Sequence, residues 1–462
     1  MAQIYYEGQT KIRPGVYQRY SGEQTVEQGS YDGFVAFIMN ADWGETGKVT
    51  KHGSIATVRE AYGENDATAA VEQIFKGGAS TVYCYRLAGT GGVKATITAD
   101  TKIIFTAKHF GNVSLSVKLQ AKLGDSTKNQ LVVMKGTKVV ETFEYTVPEG
   151  SDLDAIVTAM ASSGYVTAAK ATSATGSLTA GTYALTGGVN PTVANSDYAA
   201  AVTEFEPYYY NVIAADSISS GVQSVLRAYV ESVEADGKNI MTVIGDTTDT
   251  AFATRAAAAA ACNSEKVVYF GSGWIDADGN SIKGVKAVAY VAGAVAATPS
   301  SRAITRMQIN GAADIIERLT NGQYETAIEN GLLLASVGPS NQVWFDSGIN
   351  TLINPKSNQD NGWKKIKRVK VRYELMKRID NILSPKIGVV PANADGVAYL
   401  VQCGQGIVNT MTGEGKLSQG SFFEDPDNPL NADSVWFIID AYDVDSLEKI
   451  YLHYKFHYSQ NA

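Results

Sequence analysis

Between residues 209 and 297 short apolar runs alternate with helix-spaced segments, and this pattern restricts the fold more than any other. Residues 209–214, 239–244 and 267–270 read as strands. Residues 221–233, 251–262 and 285–297 carry the apolar spacing of helices, the last stopped by Thr298-Pro299. Strand, helix and strand in succession require right-handed crossovers and a parallel sheet. A helix over 323–330 and strands over 332–337 and 343–345 extend the same unit.

The flanks differ in style. Residues 34–39 form a buried-strand run, 67–75 a helix ended by Gly77-Gly78, and 81–86 a strand. Residues 87–92 break the composition. Short alternating strands follow at 95–98, 103–106, 113–119, 131–135 and 139–145, as in a small barrel or sandwich. One helix begins at Ser151-Asp152, and 172–192 are loops with one weak strand. Beyond a polar linker at 355–362 lies a basic element, 364–383, in which Val369, Val371 and Tyr373 alternate like a short strand ahead of a helix. A helix at 394–411, a loop rich in Asp, Asn and Pro, and strands at 435–440 and 450–458 complete the chain. The fold class is α+β and multidomain: an arm at 1–20, a mixed segment at 21–92, an inserted β-rich domain at 93–192, a central α/β domain with a mostly parallel sheet at 193–354, and a C-terminal α+β domain at 363–462.

With 462 residues, 45% apolar and 19% charged, the chain has the make-up of a soluble protein of about three domains. A net charge of -8 argues against a nucleic-acid partner. The N-terminus lacks the basic and apolar regions of a secretory signal, and the most apolar stretch, 285–297, is too short to span a bilayer. Cys84, Cys262 and Cys403 are far apart and read as buried thiols.

Sites for chemistry are scarce. Gly271-Ser272-Gly273-Trp274 runs into a hairpin turn rather than a helix start, so the amides that hold a pyrophosphate are missing. In Gly44-Glu45-Thr46-Gly47-Lys48-Val49 the glycines are too close for a phosphate loop, and Val49 has no hydroxyl for magnesium. Asp276, Asp278 and Asn280 begin like a calcium loop, but Ser281 and Ala287 stand where glycine and glutamate are required. Four histidines, His52, His109, His453 and His457, have no local catalytic motif. No cofactor or metal is expected.

The last strand is the most telling. Ile450, Leu452, Tyr454, Phe456 and Tyr458 fall on one face, and Tyr451, His453, Lys455 and His457 on the other. Ile4, Tyr5 and Tyr6 form a weaker counterpart at the other end. Termini fray unless held, so two β-competent ends suggest a protein that links to its own copies. Lys364, Lys365, Lys367, Arg368, Lys370, Arg372, Lys377 and Arg378 face only Glu374 and Asp380. This is either a solvated face or a surface steering an acidic protein partner.

In this order the elements resemble the contractile tail sheath proteins of long-tailed phages and phage-tail-like bacteriocins, in a compact version, over nearly the whole chain. Arg13-Pro14-Gly15-Val16-Tyr17 is similar to the family's first-strand motif. Val435-Trp436-Phe437-Ile438-Ile439-Asp440 followed by Asp445-Ser446-Leu447-Glu448-Lys449-Ile450-Tyr451 is similar to its C-terminal signature, and 364–383 to its basic element. The resemblance implies no catalytic set, an outward-facing insertion, and stacked six-fold rings of the chain around an inner tail tube. Contraction would drive the tube through a bacterial envelope, with Ile4, Tyr5, Tyr6, Ile450, Leu452, Tyr454, Phe456 and Tyr458 completing sheets in neighbours. Lys364, Lys365, Lys367, Arg368, Lys370, Lys377 and Arg378 become candidate contacts to the tube. Baseplate and tail terminator proteins are further implied partners, with no nucleic acid and no membrane insertion, in a particle assembled in the host bacterial cytoplasm. The competing reading is a hydrolase-like α/β enzyme with a β accessory domain. A third is a surface-layer subunit, which the missing export signal disfavours.

Overall fold

The computed structural model describes residues 32–457 and the backbone of 3–4 and 17–18. In the N-terminal unit, 1–31, β1 (Gln3–Ile4) pairs in parallel with β2 (Tyr17–Gln18). Tyr5, Tyr6 and the Arg13–Val16 part of the motif lie outside the described residues, as does Tyr458.

The remainder is built on one sheet. It begins with β3 (Phe34–Met39), β4 (Val49–His52), α1 (Ile55–Tyr62), α2 (Asp66–Lys76) and β5 (Thr81–Arg86). Asn65 and Thr68 cap α2 reciprocally. The β-rich stretch comprises β6 (Thr96–Ala99), β7 (Ile103–Ala107), β8 (Leu115–Ala121), β9 (Lys128–Lys135), β10 (Lys138–Thr146), α3 (Leu153–Ala159), β11 (Val166–Lys170) and β12 (Gly181–Ala184). It makes two antiparallel sheets, β10-β9-β8-β12 and β11-β7-β6. They enclose a core of their own that includes Phe105, Val117, Leu131, Val133, Ile156 and Val166.

The chain then returns through α4 (Asn195–Thr203), β13 (Val212–Ala215), α5 (Ser220–Ser232), β14 (Met241–Gly245), α6 (Phe252–Ala260) and β15 (Val267–Phe270). A small hairpin, β16 (Trp274–Asp276) and β17 (Ser281–Ile282), precedes α7 (Val285–Ala297); β18 (Ala312–Ile315), α8 (Asn321–Glu329), β19 (Leu332–Leu333), β20 (Ala335–Val337) and β21 (Val343–Phe345) follow. The central sheet runs β19-β15-β14-β13-β3-β5-β4, parallel except for β4 at its edge. Its continuous apolar strands divide residue by residue between two faces. Val35, Phe37, Val243 and Phe270 join one core with α2 and α7, while Ala36, Ile38, Ile244 and Tyr269 join the other with α4, α5 and α6. Helix α7 is apolar all round and buried along 287–296, as expected of a helix inside a core. Gly293 lets α2 approach it: a Cβ there would lie 2.0 Å from the Ile74 carbonyl oxygen.

The two stretches are joined through Arg86, which ends β5 and is fully buried. It donates to the carbonyls of Ala41 at 2.7 Å, Gly44 at 2.6 Å and Phe110 at 3.0 Å. Burial pulls its guanidinium down to about 10. Asn190 donates to Asp42 across the same junction at 2.6 Å.

The C-terminal part contains α9 (Ile366–Leu383), α10 (Ala394–Gly413), β22 (Leu417–Glu424) and β23 (Phe437–Asp443). Three expectations need correction here. The alternation at Val369, Val371 and Tyr373 is not a strand but the middle of α9. Val369 enters the central core while Val371 and Leu375 enter a separate one with α10 and the hairpin, so a helix buried on two sides mimics a period of two. Strand β22 was not anticipated, because Ser418, Gly420 and Ser421 interrupt its pattern. Gly420 is needed there, since a Cβ would meet Val408 of α10 at 2.8 Å. The closing run from Ile450 forms no strand within its own chain up to residue 457.

Candidate functional site

The candidate functional surface comprises the C-terminal hairpin, helix α9 packed against it and the segment that follows them. β22 and β23 pair only with each other among the described residues, from Leu417 opposite Asp443 to Glu424 opposite Phe437. The outer edge of β22 is partly satisfied by Gln405 of α10, which accepts from the Phe422 amide at 2.8 Å and donates to the Gly420 carbonyl at 3.3 Å, so the open edge is that of β23. Phe422 turns inward against Phe437, with ring centroids 4.9 Å apart, whereas Phe423, Ile439 and Tyr442 are exposed. Between β23 and α9 lies a cavity of about 450 Å³, walled by Val371, Leu375, Met376 and Tyr442 over Arg368 and Arg372.

From Lys449 to His457 the chain has no regular secondary structure and is uncovered. Ile450 is 71% exposed and Phe456 92%, with Leu452 and Tyr454 between them similarly bare. The rings of Tyr454 and Phe456 stack with centroids 6.2 Å apart, and no sheet covers the segment among the described residues. Of the residues expected to link strands, Ile450, Leu452, Tyr454 and Phe456 are thus gathered on one bare segment, and Ile4 lies in β1 of the N-terminal unit.

The basic element is arranged differently from a free positive face. Lys370 donates to the carbonyls of Val295 at 2.8 Å and Ala296 at 3.2 Å, and to that of Thr298, capping the end of α7. It also pairs with Asp32 at 2.9 Å. Arg378 grips Glu414 through both guanidinium nitrogens at 2.8 and 2.9 Å, and Glu374 at 2.6 Å; Lys416 closes the network on Glu374 at 2.7 Å. Burial alone would raise the Glu374 carboxyl, but Lys416, Ser300 and Arg378 outweigh it and hold the group below its ordinary range. Arg368 and Arg372 both hold Asp443, and the same balance keeps that carboxyl low. Lys365 pairs with Asp445 at 2.6 Å and Glu448 at 2.9 Å. Lys367 is buried, Lys364 is half-buried, and neither forms an ion pair among the described residues; Lys377 is more open and pairs with Asp380 at 3.2 Å. Sequence reasoning missed the anionic half of this arrangement: Asp443, Asp445, Glu448 and Glu414 are 36 to 83 positions away in the chain from their cations.

The loop sites resolve as turns. Asp276 accepts from the backbone of Asp278 and Asn280 and from the Asn280 side chain, closing the β16–β17 hairpin with Gly279 at φ +85°. Among the described residues no three His, Cys, Asp or Glu converge to hold a metal, and no helix is long and apolar enough to cross a membrane.

Comparison with known proteins fits this layout. Residues 191–351 match the family described as phage tail sheath protein central domain. The chain is 23% identical to the phage-like element PBSX protein XkdK of Bacillus subtilis, over 96% of this chain and 97% of that one. Its fold is similar to a sheath tail protein of Desulfitobacterium hafniense, with a TM-score of 0.74 and 21% identity, covering 93% of this chain and all (100%) of the other. It is also similar, at a TM-score of 0.57 and 12% identity, to the helical sheath of the anti-feeding prophage in its contracted state, covering 96% and 99%. The matched family is one of structural subunits rather than enzymes. Residues 191–351 thus carry a phage tail sheath protein central domain, and the mixed α+β fold around them is that of tail sheath proteins.

Proposed function

We propose that this chain is the subunit of a contractile tail sheath. It polymerises as stacked hexameric rings around an inner tail tube and contracts to drive the tube through a bacterial envelope. The observation that carries this reading is the bare, alternating segment 450–457 in a chain whose C-terminal two-stranded sheet leaves the outer edge of β23 unpaired among the described residues. An apolar strand on one copy and an unpaired edge on another are complementary. Each backbone hydrogen bond formed would contribute about 0.5–1.5 kcal/mol, so several bonds with aromatic burial would hold while weaker contacts exchange. The N-terminal arm, including Ile4, is the second linking element, with Tyr5, Tyr6 and Tyr458 as its and the closing strand's outer members.

On this reading the partners are further copies, the inner tube, the baseplate and the tail terminator, in a phage or phage-like tail assembled in the host cytoplasm. The tube contact falls first to Lys364 and to Lys377, whose solvent-exposed pair with Asp380 is weak, because the other five cations are buried or held by carbonyls and carboxylates in less exposed settings. The test is truncation after Glu448. The expected product melts like the full chain but forms no cylinders under the electron microscope.

A further inference from the structure

We propose that Lys365, backed by Arg368 and Arg372, is a positioning clamp for the C-terminal segment. It fixes residues 443–448 to the body, so that the segment bends only beyond Glu448. The functional weight of this clamp rests on the reading of 450–457 as a link between subunits; its existence does not.

Lys365 is itself held on both sides. Its backbone bridges to Ile349, and the next residue, Ile366, donates to the Gly348 carbonyl at 3.0 Å, so the ammonium starts from the central body. One ammonium then binds two carboxylates three positions apart, Asp445 and Glu448. Glu448 is held a second time, by the Thr305 hydroxyl at 2.8 Å, from another loop of the same body. Upstream, Val444 makes a backbone bond to Lys416 at 2.9 Å, and Asp443 is held by both arginines. Residues 443, 444, 445 and 448 are therefore all tied to the body. From Lys449 to His457 no hydrogen bond or ion pair exists among the described residues, and the side chains are exposed. The transition is abrupt and coincides with the last carboxylate.

The clamp has two tiers. Asp443 is 9% exposed and shielded from salt, whereas Lys365, Asp445 and Glu448 are 23–36% exposed and open to screening. The outer tier therefore sets the direction of exit and yields first. The basic run at the start of α9 thus acts mainly on the chain's own terminal segment.

Hydrogen exchange by mass spectrometry on the full-length, unassembled protein tests this. At low salt, a peptide over 443–448, in which the Val444 amide donates to the Lys416 carbonyl and the Ser446 amide to the Asp445 carboxylate, should exchange at least about tenfold more slowly than 450–457. Lys365→Met should erase that difference and leave the central sheet protected, and Glu448→Gln should reduce it. Lys365→Glu combined with Asp445→Lys and Glu448→Lys should restore it. Equal exchange of 443–448 and 450–457 in the unaltered protein, or protection unmoved by both single variants, would overturn the clamp. Cylinder formation is scored separately: an unaltered protein that never assembles counts against the sheath reading and leaves the exchange result intact.

Discussion

Two residues show how charge is used in this chain. Arg86 satisfies three carbonyls from two stretches that the sequence treats as separate. Replacing it by methionine keeps volume and leaves those acceptors without a donor. Arg86→Met is expected to lower stability by at least about 3 kcal/mol in urea unfolding. Lys370 is the second case. In sequence it belongs to a positive stripe; in the structure it caps α7 and pairs with Asp32. Lys370→Glu should therefore cost folding, with a drop of about 3 kcal/mol or insoluble protein, whereas Lys377→Glu should stay within about 0.5 kcal/mol of the parent. A reading that treats both lysines as surface predicts equal, small effects.

At the scale of elements, the sequence was most legible where one face or one core decides the pattern. The strands at 34–39, 81–86 and 267–270 and the helix at 285–297 are found where their apolar runs place them. It misled where an element serves two neighbours. Helix α9 is buried against the body on one side and the hairpin on another, so its apolar residues follow no single stripe. Strand β22 hides behind Gly420, whose role is set by packing against Val408 of the preceding helix α10, which no pattern within the strand reveals. The ion pairs of α9 were illegible for the same reason, since their partners come from α10, β23 and the segment beyond. These pairs have a pH consequence. Glu374, Glu414 and Asp443 are held below their ordinary values. The stability they contribute is thus complete above about pH 4–5, the unfolded carboxylate range, and is lost as pH falls through the lower folded values. On acid titration the C-terminal elements should lose exchange protection before the central sheet does.

At the scale of the whole molecule, the unit from Asp32 onward combines a well-packed body with an uncovered C-terminal segment. The central sheet has cores on both faces and the β-rich stretch encloses one, while the outer edge of β23 is unpaired among the described residues and segment 450–457 is uncovered. The complete parts were readable as a fold, and the incomplete ones as a pattern without a sheet. That contrast is what an assembling subunit requires, and a self-sufficient enzyme has no use for it. The most direct test is electron microscopy of the purified full chain beside a 1–448 truncation of equal thermal stability. The account predicts striated hollow cylinders from the full chain and dispersed single subunits from the truncation. Normal cylinders from the truncated chain would contradict it.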